Sequence, residues 1–156
     1  NYKLIKEILK TKIPTIISTG MASLKEIETI NRMYSLKKIP LHIMHCVSTY
    51  PNIEKNSFLN NINFLSKHLD KQIGLSDHTN NINTCRYAYF MGSRVFEKHF
   101  KLSNKHKCID APVSITPDQF QKLKQDLNHY QKVLGKVKFG VRKSEMGTKI
   151  FKRKTK

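Results

Sequence analysis

Residues 41–78 read LHIMHCVSTYPNIEKNSFLNNINFLSKHLDKQIGLSDH, and two hydrophobic periods share this stretch. Leu41–Val47 is a short β-rich run and Gln72–His78 is a second, while Phe58, Ile62 and Leu65 between them recur at helical spacing. A strand, a helix and a strand in that order form a right-handed crossover that joins parallel neighbours. The alternation continues in both directions, with Pro14–Thr19 upstream and Arg94–Phe100 downstream reading as strands. Leu24, Ile27 and Ile30 repeat every three residues behind Ser23, and Ser23 with Glu26 fits a reciprocal capping box at a helix start. Residues 79–91 are read as helix because the alternation requires one there. The last helix is the best specified. Thr116 is its N-cap, Pro117 its first position, Gln119 its third and Gly135 its stop. Its apolar stripe of Phe120, Leu123, Leu127, Tyr130 and Leu134 predicts a helix lying on a sheet. The expected class is α/β, with four βα units. Periodicity leaves open whether they form a small doubly wound sheet or half of a (β/α)8 barrel, which needs about 250 residues when whole.

The chain has 156 residues, with 29 Lys plus Arg against 11 Asp plus Glu and a net charge of +18. Such a charge first suggests an anionic partner. Its distribution argues against nucleic acid. Residues 136–156 hold nine basic residues (Lys136, Lys138, Arg142, Lys143, Lys149, Lys152, Arg153, Lys154 and Lys156) against Glu145 alone. The basic residues are 24 Lys and five Arg, whereas base readout leans on bidentate Arg, and no RNP, zinc-finger or GXXG motif is present. Residues 1–135 therefore read as the folded domain and 136–156 as a solvated basic tail, and the basic surface suits a phosphorylated small substrate. No run approaches the roughly 18 consecutive apolar residues of a membrane span, and no charged-then-apolar segment opens the chain, so a cytoplasmic protein without a membrane partner is expected. Three cysteines (Cys46, Cys85 and Cys108) without a CxxC pair exclude a disulfide framework and fit a reducing compartment. Residue 1 is Asn rather than Met, which leads us to expect that the sequence begins inside something larger.

The polar residues gather at the ends of the expected strands. Ser18, Thr19 and Gly20 end the first; Ser48, Thr49 and Tyr50 follow the second; Ser76, Asp77 and His78 end the third; Glu97, Lys98 and His99 lie near the end of the fourth. Parallel α/β folds bind their ligands at this edge. His78 and His99 come from neighbouring strand ends, each beside a carboxylate, and two imidazoles placed so can share a divalent ion while leaving positions open for water and substrate oxygen. A hydrogen-bonded structural histidine is the competing reading for each. His45 is read as sharing a strand face with His42 and lining a barrel, with core packing as the alternative. Lys98 alternates with its neighbours and is expected to form an ion pair behind the sheet. Cys46 is read as a small buried residue, and Asp110 as a loop carboxylate that holds sugar hydroxyls or caps a turn.

Four ordered motifs, ISTGMAS (Ile17–Ser23), HCVSTYP (His45–Pro51), GLSDHT (Gly74–Thr79) and EKHF (Glu97–Phe100), closely resemble the N-acetylneuraminate (sialic acid) synthase family. Asp110, Ser114 and Pro117-Asp118-Gln119-Phe120 resemble the family's Asp-containing loop and the helix after it. The resemblance implies strands five to eight of a TIM barrel, with Asn1–Lys12 as the helix before strand five. It implies condensation of phosphoenolpyruvate with an N-acetylhexosamine of the N-acetylmannosamine type, giving a nine-carbon 2-keto sugar acid and phosphate for surface carbohydrate. Relatives make pseudaminic or legionaminic acid. By the same resemblance His78 and His99 would hold Mn2+ or Mg2+, Ser18 and Ser76 would lie near phosphoenolpyruvate, and Tyr50 and Asp110 would touch the sugar. Ser48 stands where some members carry Asn, and Glu97 matches an active-site carboxylate that handles a proton or orients substrate. Cys108-Ile109 stands where the family usually has Gly-Pro. The family's first four strands and its antifreeze-like domain have no counterpart here, so a missing half-barrel or a homodimer partner is expected. The rival readings are a truncated, non-catalytic remnant or split-barrel chain that binds such a partner, and, third, a basic nucleic-acid-binding module.

Overall fold

The computed structural model describes residues 1–105 and 107–152; Arg153, Lys154 and Lys156 of the basic tail lie outside the described residues. Helices and strands alternate as α1 (Tyr2–Thr11), β1 (Thr15–Ser18), α2 (Leu24–Lys37), β2 (Leu41–Cys46), α3 (Asn60–Leu69), β3 (Ile73–Asp77), α4 (Asn83–Phe90), β4 (Phe96–Lys98) and α5 (Pro117–Leu134). All strand pairs are parallel, in the spatial order β1-β2-β3-β4. A doubly wound sheet reverses its strand order at a switch point. This sheet never reverses, so the four βα units are half of a (β/α)8 barrel.

Strand alternation sorts the side chains. Ile17, Leu41, Ile43, Ile73, Leu75 and Phe96 face the helices and join a core with Tyr34, Ile62, Leu65, Cys85, Ala88 and Leu123. Ile62 is fully buried, and such burial contributes about 2–3 kcal/mol. The opposite face would line a barrel and carries Ser18, Met44, Cys46, Gly74, Ser76 and Glu97; register aligns Ser18 with Met44 and Gly74, then Cys46 with Ser76 and Glu97. Two glycines permit close approach. A Cβ on Gly74 would sit 2.8 Å from the Val95 carbonyl oxygen, and one on Gly20 would sit 1.9 Å from Ser48 Oγ.

The helix signals act as read at two starts. The Glu26 N–H donates to Ser23 Oγ (3.4 Å) and the Ser23 N–H to Glu26 Oε2 (2.8 Å), and the Thr116 N–H donates to Gln119 Oε1 (3.0 Å) before Gly135 ends α5 at φ 56°. Several expectations need correction. Phe58 precedes α3 at φ 45° and is exposed, because the chain turns there through a short 3-10 segment, Glu54–Asn56. Helix α4 starts at Asn83, not 79, because Thr79 and Asn81 bind the local backbone and side chains: the Asn83 N–H donates to Asn81 Oδ1 and the Thr79 N–H to Asp77 Oδ1. Strand β4 is shorter than read, since Arg94 turns back to donate to the carbonyls of Tyr89 and Ser93 and lies over the Tyr89 ring. Of the α5 stripe only Leu123 is fully covered, and Phe120 and Leu134 stay half exposed. After α5 the described tail is exposed, with one 3-10 stretch at Lys143–Phe151.

Candidate active site

The carboxyl ends of β3 and β4 bring four ring or acid groups together. His78 follows β3 and is buried; its Nδ1–H donates to the Val47 carbonyl oxygen at 2.9 Å. A carbonyl only accepts, so the proton sits on Nδ1 and Nε2 keeps a free lone pair. Tyr50 stacks on His78 with centroids 4.0 Å apart, and His99 meets both rings edge-on, 5.4 Å from His78 and 5.7 Å from Tyr50. His99 Nδ1 lies 3.6 Å from Asp110 Oδ2, a charge-pair distance when the ring is protonated. One layer down, Ser76 Oγ donates to Glu97 Oε1 at 2.7 Å. Partial burial, and then the nearby Cys46 thiol and the carboxylates of Asp110 and Glu97, push the Tyr50 phenol above its ordinary value, so it remains a neutral hydrogen-bonding group at neutral pH.

His78 thus engages a backbone oxygen through Nδ1, the arrangement that orients an imidazole for metal binding through the other nitrogen, while His99 Nδ1 faces Asp110 beyond hydrogen-bond distance. This donor chemistry fits a divalent ion held by two nitrogens, with the remaining positions left to oxygens of water and substrate. Among the described residues no cluster of three or more His, Cys, Asp and Glu side chains makes a fuller cage.

Ser18 and Ser48 lie apart from the ring cluster. Ser18 ends β1, the outermost strand, and is exposed. Ser48 is half-buried, with its Oγ 4.0 Å from Cys46 Sγ, and that sulfur is also 4.0 Å from His78 Nδ1. Cys46 thus sits beside the candidate site rather than simply in the core. His42 and His45 are three residues apart and fall on opposite faces, contrary to the shared face expected for them. His45 packs toward the helices, donating from Nε2 to the Ser57 carbonyl at 2.7 Å; His42 is on the barrel side, and its Nε2 has no partner among the described residues. Burial lowers the pKa of both, the Ser57 bond partly opposing this at His45. Lys98 does pair behind the sheet, with Asp77. Sequence reading missed the Val47 carbonyl, which no side-chain pattern reveals, and the partner of Lys98, which alternation from His78 would have identified as Asp77.

Comparisons with known proteins bear on the family and the fold. A family model described as the NeuB family matches residues 1–139. A pseudaminic acid synthase from Campylobacter jejuni is 31% identical over 96% of this chain and 44% of its own length. An N,N'-diacetyllegionaminic acid synthase from Legionella pneumophila is 33% identical over 86% of this chain and 39% of its own length. The crystal structure of an N-acetylneuraminic acid synthetase from Leptospira borgpetersenii, in complex with citrate, superposes with a TM-score of 0.89 at 31% identity, over 97% of this chain and 53% of that one. The chain thus spans less than half the length of these two curated relatives. No helix among the described residues is long and apolar enough to cross a membrane. The parallel half-barrel, the four motifs at its strand ends and the match over nearly the whole folded region lead to one assignment: the chain belongs to the NeuB family.

Proposed function

We propose that residues 1–135 supply half of the catalytic barrel of a synthase for a nine-carbon sugar acid, with residues 136–156 as a linker leading onward from it. The substrates would be phosphoenolpyruvate and an N-acetylhexosamine of the N-acetylmannosamine type, and the remaining barrel strands would come from the rest of the polypeptide or from a partner chain. The observation that carries this reading is the convergence of Tyr50, His78, His99 and Asp110 at two neighbouring strand ends, with the His78 tautomer set by Val47. The pairing of this chain with pseudaminic and legionaminic acid synthases supports it.

In this reading His78 and His99 would hold Mn2+ or Mg2+, His78 through the Nε2 that its bond to Val47 leaves free. When bound, the ion supplies Lewis acidity toward the carbonyl oxygen of the open-chain sugar. Tyr50 and Asp110 orient that sugar beside the imidazoles. Ser18 and Ser48 donate hydroxyl hydrogens to the phosphate and carboxylate of phosphoenolpyruvate, and Ser76, its hydroxyl hydrogen given to Glu97, lies beside that substrate. C3 of phosphoenolpyruvate forms the new bond to the aldehyde carbon, water adds at C2, and the C2–O bond breaks to release phosphate. Glu97, steadied by Ser76, handles the proton of that water. Sugar-dependent phosphate release from phosphoenolpyruvate by the full polypeptide, with Mn2+ added, is the test. The expected result is turnover in wild type and its loss in His78→Ala/His99→Ala, with the variant also failing to retain Mn2+ in equilibrium dialysis. Full turnover by that double variant would overturn the assignment.

A further inference from the structure

Behind the sheet, on the helix side, lies a charge pair with no part in the proposed chemistry. Asp77 and Lys98 immediately precede His78 and His99, so alternation turns them toward the helices when the histidines face the barrel. Lys98 Nζ is 2.8 Å from Asp77 Oδ2, and both side chains are 1% exposed. The contact closes into a network. Lys98 Nζ also donates to the Thr79 carbonyl, while the Thr79 N–H and Oγ1 donate to Asp77 Oδ1 and Oδ2, each at 2.9 Å. Cys85 of α4 donates through Sγ to Asp77 Oδ2 at 3.5 Å.

Position in the ladder gives this network its consequence. Asp77↔Lys98 is the last registered pair of β3 and β4. His78 and His99 lie one residue beyond it, where regular backbone pairing no longer holds the two strand ends at a set distance. We propose that Asp77 and Lys98 are positioning residues whose buried pairing sets the separation of His78 and His99. This inference rests on the reading of those histidines as metal ligands. Second-layer partners of metal ligands govern affinity by about 10–100-fold, and removing one member of a buried pair strands the other charge.

The test uses Asp77→Asn/Lys98→Met in the full polypeptide, which removes both charges and nearly conserves volume. Nuclear Overhauser contacts between the His78 and His99 rings are measured without metal, and free Mn2+ is titrated by electron paramagnetic resonance. The expected result is a folded protein with weakened inter-ring contacts and Mn2+ affinity lowered about 10–100-fold. Thr79→Val, which keeps both charges and loses the hydroxyl that donates to Asp77 and meets Lys98 Nζ and Thr84 Oγ1 at 3.3 Å, is the milder second variant and should move both readouts in the same direction. A folded double variant with unchanged ring contacts and unchanged Mn2+ affinity overturns the proposal. Wild-type protein that retains no Mn2+, with ring contacts still weakened in the variants, sinks the metal assignment while supporting the positioning role.

Discussion

Gly74→Ala tests how closely β3 and β4 approach. The added methyl would lie 2.8 Å from both the Val95 carbonyl oxygen and Met44 Cγ, and 3.1 Å from His42 Nε2. Met44 can rotate, but the carbonyl is backbone. Ordinary contact begins near 3.4 Å, so β4 must retreat by about 0.6 Å. That displacement acts on the bond in which the Leu75 N–H donates to the Val95 carbonyl at 3.0 Å, stretching it toward the limit of a hydrogen bond. Overpacking of this kind costs about 1–3 kcal/mol, and the weakened bond adds up to about 1 kcal/mol. A loss of roughly 2 kcal/mol corresponds to a fall in Tm of about 4–8 °C for a chain of this size. Thermal unfolding followed by circular dichroism reads it directly. Gly147→Ala is the control, because a Cβ there meets nothing within 4 Å, and it should melt with the wild type. A Gly74→Ala protein that also melts with the wild type would falsify the close-approach argument.

Two further outcomes follow from burial. Cys108 is exposed while Cys46 and Cys85 are buried, and burial followed by the Asp77 carboxylate pushes the Cys85 thiol far above its ordinary value. A disulfide reagent should therefore titrate one fast thiol per native chain, lost in Cys108→Ser, and three after denaturation; a second fast thiol would contradict the packing around Cys46 and Cys85. Burial holds the pKa of His45 below 6.5, so the unfolded chain takes up the proton first as pH falls. The stability this histidine contributes is complete above pH 6.5 and is lost as pH drops through the lowered value. Urea unfolding between pH 5 and pH 8 should show that slope, reduced in His45→Gln, and an identical slope in the variant would refute it.

What was legible in the sequence were features written in neighbouring residues. Ser23 with Glu26 and Thr116 with Gln119 declare helix starts because cap and partner lie three residues apart, and the strand runs of β1 to β4 stand out by their apolar density. Where long-range contact decides the outcome, local reading went astray. Phe58 has the right spacing for α3 but lies in a turn, and Arg94 leaves the strand pattern to bind carbonyls around α4. At the site, the grouping of His78, His99, Tyr50 and Asp110 could be anticipated because each stands at a strand end or in the loop beyond one. The tautomer of His78 could not, since it depends on a backbone oxygen 31 residues away. His42 and His45 show the simplest failure: a separation of three reverses the face of a strand, and only one of them points into the barrel.

The Asp77–Lys98 pair also bears on how the chain finds its strand pairing. Hairpins inherit their alignment from a tight turn, whereas parallel strands joined through a helix have no such guide. Sliding β4 by one residue would set Asp77 beside Glu97 or His99 and turn Lys98 into the barrel; sliding it by two would leave Asp77 against Phe96 or Phe100. The first of these juxtaposes two carboxylates and the last two strand a buried charge on an aromatic ring, and each outcome costs several kcal/mol. The pair therefore serves as an address: it disfavours the alignments that set Asp77 against Glu97 or a phenylalanine, and the one it favours brings the two histidines to the same mouth.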